Sequence, residues 1–76
     1  MAYNDPEVSN KFHMEPILIR INDVVKLTSL SRSSIYRMIG SNEFPKQICV
    51  GSRQARWSRL EVEEWCQDQI YANQSA

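Results

Sequence analysis

A chain of 76 residues, 42% of them hydrophobic and including two Trp, three Tyr and two Phe, is sized for one compact domain; it is too small for a large enzymatic cleft and too apolar for disorder. Its formal net charge is zero, yet between Arg20 and Leu60 eight basic residues face only Asp23 and Glu43, while residues 61–76 hold four acids and no base. This segregation points to a polyanion meeting the middle of the chain, with the acidic ends held away from it.

Residues 1–16 mix Asn, Asp, Pro, Ser and Glu without periodicity, and Pro6 and Pro16 interrupt any helix, so a flexible tail is expected. Ile17, Leu18 and Ile19 read either as a brief strand or as an extended lead into the core. A first helix is predicted from Asn22 as N-cap, with Asp23 in its first turn, Val24, Val25 and Leu27 as its buried face, and an end at Thr28 and Ser29. Ser31 caps a second helix over residues 32–41, in which Ile35, Met38 and Ile39 fall within about 100° of one another on the helical wheel. Ser33, Arg37 and Gly40 occupy the opposite side, flanked by Arg32 and Tyr36. Two short helices separated by residues 29–31 match a helix-turn-helix, whose second helix enters the DNA major groove.

Asn42 and Glu43 close the second helix and Phe44-Pro45 stops it, with Phe44 capping the core. Gln47 to Val50 and Ala55 to Trp57 are predicted strands joined by a turn over residues 51–54. Ser58 with Glu61 three residues on forms a capping box for a third helix from Arg59 to about Tyr71, with Val62, Trp65, Cys66 and Ile70 facing inward. Residues 73–76 are expected to fray. The expected fold is mainly α with a small β-hairpin, a domain over 17–72 between a tail at 1–16 and a frayed end at 73–76.

Arg32, Ser33, Tyr36 and Arg37 admit two readings: an ordinary solvated helix face, or contact with double-stranded DNA through phosphates and base edges. The second is favoured, because arginine pairs in bidentate fashion with guanine. Arg53 in the turn is either the tip of a wing reaching the adjacent minor groove or its phosphates, or a solubilising charge. Lys46 and Arg56 are assigned to backbone phosphates. Arg53, Arg56 and Arg59, spaced by three, cannot all share one face of a regular strand. Gly40 permits close approach of a ligand or serves as a helix C-cap, the latter favoured. Trp57 and Trp65 are expected in the core.

Cys49 and Cys66 are separated by sixteen residues and accompanied only by His13 in the tail, so no zinc site is expected, and two buried thiols are preferred over a disulfide. No carboxylate pair, Ser/His/Asp set or phosphate-binding loop can be assembled, which argues against an enzyme and against any cofactor. No run approaches the roughly eighteen apolar residues of a membrane span. The start, MAYNDPEVSNKFH, also lacks the cationic and apolar regions of a secretory signal; a cytoplasmic location is expected.

Residues 20–67, "RINDVVKLTSLSRSSIYRMIGSNEFPKQICVGSRQARWSRLEVEEWCQ", resemble the AlpA family of small phage and prophage DNA-binding proteins, related to excisionases and MerR-like winged helices. The likeness is carried by "LSRSSIYR" at 30–37, "FPK" at 44–46, Val50, Gly51 and Arg53 in the turn, and Trp57 followed by Glu61, Val62 and Trp65. It implies a winged helix-turn-helix acting on attachment-site or promoter DNA, as a recombination directionality factor working with an integrase, as a transcriptional regulator, or as both. Ser33, Ser34, Tyr36 and Arg37 would then lie on the recognition helix and Arg53 on the wing, with copies associating cooperatively on repeated sites. "GSRQARW" departs from the pattern in carrying Arg56 just before Trp57, and the acidic tail lies outside it. A rival reading is a small adaptor that binds a host regulatory protein through the acidic last helix.

Overall fold

The computed structural model describes residues 15–74; the expectations for residues 1–14, His13 among them, and for residues 75–76 fall outside these. The elements in order are β1 (Leu18–Ile19), α1 (Ile21–Thr28), α2 (Arg32–Gly40), β2 (Ile48–Val50), β3 (Gln54–Ser58) and α3 (Arg59–Gln74). The architecture is mainly α, with a three-stranded antiparallel sheet in the order β1-β3-β2. The short apolar run at 17–19 therefore resolves as a strand: Leu18 pairs with Ser58 and Ile19 with Trp57.

Capping chemistry sets the helix starts. The expected N-cap of α1, Asn22, is displaced by Arg20, whose extended backbone presents its amide to the Asp23 carboxylate three residues on, at 3.1 Å. An ionised carboxylate is the stronger acceptor and wins the position. In α2 the Ser31 hydroxyl accepts from the Ser34 amide at 3.1 Å, as its position predicts. At α3 the Ser58 hydroxyl accepts from the Glu61 amide at 3.2 Å, and Glu61 in the first turn complements the helix dipole. This helix runs on through Gln74, so Asn73 and Gln74 are helical; the Asn73 side-chain amide donates to the Gln69 carbonyl at 2.9 Å.

Between α1 and α2 the chain turns on Thr28 and Ser29. The Thr28 hydroxyl donates to the Val24 carbonyl at 2.8 Å and accepts from the Leu30 amide at 3.2 Å. Ser29 adopts the left-handed conformation (φ 61°), and its amide donates to the Val25 carbonyl at 2.7 Å. A serine there bears a Cβ strain that glycine lacks. Ser29→Gly is expected to raise the unfolding free energy by about 0.5–1 kcal/mol, net of the entropy lost by glycine, as read from the urea midpoint.

The core draws one side chain from nearly every segment: Ile19, Val24, Ile35, Phe44, Trp57 and Val62 are buried, and Ile21, Val25, Leu30, Met38, Ile39 and Trp65 pack around them. Two expected inward residues are exposed. Leu27 in the last turn of α1 is 43% exposed and Ile70 in the C-terminal half of α3 is 49% exposed. Gly40 is the last residue of α2 rather than its left-handed cap; that conformation belongs to Asn42 (φ 62°), whose amide donates to the Ile39 carbonyl at 3.1 Å. Asparagine tolerates that region better than other side chains.

Two indole N–H groups pin the segment between α2 and β2. Trp65 Nε1 donates to the Glu43 carbonyl at 2.8 Å and Trp57 Nε1 to the Pro45 carbonyl at 3.2 Å. Phe44, between these anchors, meets Trp65 edge-on with ring centroids 4.7 Å apart. Each contact places a polar tip and an apolar ring where both are satisfied. Arg59 performs a comparable task at the other end of the sheet: Nε donates to the Pro16 carbonyl at 2.7 Å, and Nη1 pairs with Glu15 at 3.3 Å and Glu63 at 2.9 Å. Glu15 and Pro16, read from the sequence as tail, are thereby fastened to α3.

Candidate nucleic-acid interface

The second helix of the helix-turn-helix turns one stripe outward. Ile35 is buried; Ser33, Arg37 and Gly40 lie furthest round the wheel from it with Tyr36 on their flank, and all four are exposed. The side chains of Ser33 and Arg37 make no hydrogen bond or ion pair among the described residues. Arg32 is different: its Nη2 donates to Asn22 Oδ1 of α1 at 2.7 Å, which ties the two helices together across the turn. Ser34 is half-buried and its hydroxyl accepts from that of Ser31 at 3.0 Å, so it serves the cap.

Tyr36 joins this helix to the hairpin. Its ring stands edge-on to Trp57 of β3, with centroids 6.1 Å apart and planes at 65°, while 43% of the residue stays exposed. Because strand residues alternate, Ala55 shares the Trp57 face, and the register places Cys49 opposite Ala55. That face of the hairpin is therefore turned toward α2. Ala55 and Cys49 remain exposed because the hairpin projects past the helices. Gly51 turns the hairpin at φ 64°, a conformation that suits glycine, and Arg53 follows, exposed and without a partner among the described residues. Lys46 is likewise exposed and unpaired.

Arg56 lies on the other face. It pairs across the ladder with Ile48, alternates with Trp57, and its guanidinium donates to Gln54 Oε1 at 2.9 Å and the Ala55 carbonyl at 2.8 Å. Of the eight candidate residues, Ser33, Tyr36, Arg37, Lys46 and Arg53 are thus open; Arg32 and Ser34 brace α2; Arg56 is directed away from it. Sequence reasoning did not single out Asn22 as the brace of Arg32, nor Trp57 as the residue that seats Tyr36. The Arg56 direction was readable, since the neighbour of a core tryptophan in a strand points outward.

Both cysteines are free thiols. Against expectation, Cys49 is exposed, because the hairpin extends beyond the body; Cys66 is half-buried, 3.9 Å from the Leu27 carbonyl. Burial first, and the nearby Glu63 carboxylate second, push the Cys66 thiol above its ordinary range, so it stays protonated at neutral pH. Alkylation with iodoacetamide at pH 8 is expected to label Cys49 well before Cys66, with intact mass spectrometry showing one adduct accumulating first. No helix among the described residues is long and apolar enough to cross a membrane.

Two helices in a short-turn pair, backed by a third and flanked by a projecting hairpin, define a winged helix-turn-helix protein. Residues 17–70 match the family described as "Prophage CP4-57 regulatory protein (AlpA)". The chain belongs to this AlpA family of prophage regulatory proteins. A protein of Enterobacteria phage P4, described as "Uncharacterized protein ORF88", is 38% identical over 52 residues, which cover 68% of this chain and 59% of the relative. The chain thus spans about three fifths of that relative's length. No solved structure matches the chain significantly.

Proposed function

We propose that this protein binds double-stranded DNA, with α2 in the major groove and the hairpin on the adjacent minor groove or its backbone, and that it acts in the cytoplasm as a prophage regulator without enzymatic activity. The observation that carries this reading is the contact of Tyr36 with Trp57. It turns one hairpin face to α2, which supports reading the unpaired Arg37 of that helix and the turn residue Arg53 as parts of one cationic surface.

In this reading Ser33 and Tyr36 donate to phosphates or base edges, Arg37 reads guanine, and Lys46 and Arg53 hold the backbone. Arg32 and Ser34 keep α2 in position. Its duties are excision control alongside an integrase, transcriptional regulation at promoter repeats, or both, with neighbouring copies cooperating on the DNA. Bending the site costs several kcal/mol, which contacts between neighbours offset.

The test is fluorescence anisotropy of a labelled random-sequence duplex over a range of salt concentrations. Binding is expected at low salt, with an affinity that falls as a power of the salt concentration, the exponent being about 0.9 per phosphate neutralised. A chain that never raises the anisotropy at low salt sinks the proposal and favours the adaptor reading.

A further inference from the structure

The sheet has a second face that a duplex on the α2 side leaves clear. Gln54, Arg56 and Ser58 of β3 point there, and their cross-strand partners Val50, Ile48 and Leu18 share the face. All three of these apolar residues are exposed, Ile48 by 47%, so no helix covers them. Arg56 sits among them with its guanidinium held by Gln54 and by the Ala55 carbonyl. The result is an apolar face with one fixed cation, on the side where a half-covered antiparallel sheet ordinarily presents polar residues to water.

The outward side of α3 is its counterpart. Leu60, Glu64, Gln67, Asp68 and Tyr71 recur at helical spacing within about 100° of the wheel, opposite the core-facing Val62, and every one of them is exposed. Leu60 is 61% exposed and Tyr71 74%. No base follows Arg59, and Arg59 itself is engaged with Glu15 and Glu63. This face is apolar at both ends and anionic between them.

We propose that the protein associates with itself head to tail, the outward face of α3 on one copy seating against the outer sheet face of the next, with Glu64 and Asp68 meeting Arg56 and with Leu60 and Tyr71 meeting Ile48, Val50 and Leu18. The complementarity of charge between these two uncovered faces selects a second copy as the occupant. Since the two patches differ, the contact is heterologous, and copies add in a row unless the rotation happens to close a ring. This gives the self-association proposed above a pair of surfaces, but the contact needs no DNA, so its failure and that of DNA binding are distinguishable.

Sedimentation velocity of the full chain without DNA tests it. The wild type is expected to show a mass that rises with concentration, and more strongly at low salt. Arg56→Glu and Glu64→Lys, each checked for an unchanged far-UV circular dichroism spectrum, are each expected to weaken association by about tenfold or more, because like charges then meet across the contact. Mixing the two variants brings opposite charges together at both junctions, the two reversed patches against each other and the two native patches against each other, so association that grows with concentration is expected to return. A wild type that stays monomeric at every concentration overturns the proposal. So does a wild type that stops at a dimer, a pair of charge reversals without effect, or a mixture that stays monomeric.

Discussion

Replacing Trp57 by alanine is expected to remove about 3–5 kcal/mol from the unfolding free energy and to leave the domain largely unfolded at 25 °C. Trp57 is 1% exposed and the largest of the fully buried side chains. It pairs with Ile19 across the sheet, meets the edge of Tyr36, and donates its indole N–H to the Pro45 carbonyl. Alanine keeps the backbone pairing but forfeits the ring contact and the indole hydrogen bond, and it opens a cavity that a core of six buried residues has little capacity to refill. A domain of this size has a margin of roughly 3–5 kcal/mol, so the loss is comparable with the whole. Trp57→Phe keeps most of the ring and strands one carbonyl, costing about 1–3 kcal/mol. Urea titration followed by far-UV circular dichroism measures both. A Trp57→Ala protein that keeps most of its stability would show that the hairpin, α2 and the proline segment are held together by something else.

The second large effect concerns DNA. Arg37→Ala is expected to weaken binding to a site selected from random duplexes by about 1–3 kcal/mol, roughly five- to 150-fold, while changing non-specific binding much less. Arg37 is exposed and unpaired, so its loss should leave folding stability within about 0.5 kcal/mol of the wild type. Arg53→Ala is expected to act differently. It weakens specific and non-specific binding alike and lowers the salt exponent by about 0.9, as removal of one phosphate contact does. The pair of variants separates reading of bases from grip on the backbone. Should Arg37→Ala weaken all duplexes equally and flatten the salt dependence, Arg37 touches phosphate and another residue of α2 reads the bases.

What could be read from the sequence was the chemistry that acts over three or four residues. Ser31 and Ser58 announce helix starts because a hydroxyl there has a free amide within reach, and both bonds form. The hairpin followed from Gly51 between two apolar runs, and its register puts Trp57 in the core as expected. The winged helix-turn-helix itself was legible, since Ile35, Met38 and Ile39 share one side of a helix that follows the first after a three-residue turn.

What escaped depends on where elements cross in space. Leu27 and Ile70 carry helical spacing, yet both side chains stay exposed, because spacing does not tell how much of a helix its neighbours cover. Cys49 looks like a core residue in a strand until the hairpin is seen to overshoot the helices. Arg32 reaches ten residues back to Asn22, and Arg59 reaches 43 residues back to Pro16; no local spacing signals either bond. Their effect on the site is large, because one arginine of the apparent cationic stripe is a brace and another is neutralised by two carboxylates.

The two indole anchors on either side of Phe44 have a further consequence. They stitch the chain segment between α2 and the hairpin to the hydrophobic interior at both ends, so the gap separating helix from wing is pre-set like the jaws of a locked calliper. An incoming duplex would not have to spend binding energy on arranging them. Adjustments to a particular groove width would then fall to the long side chains of Arg37 and Arg53, which are exposed and unpaired among the described residues.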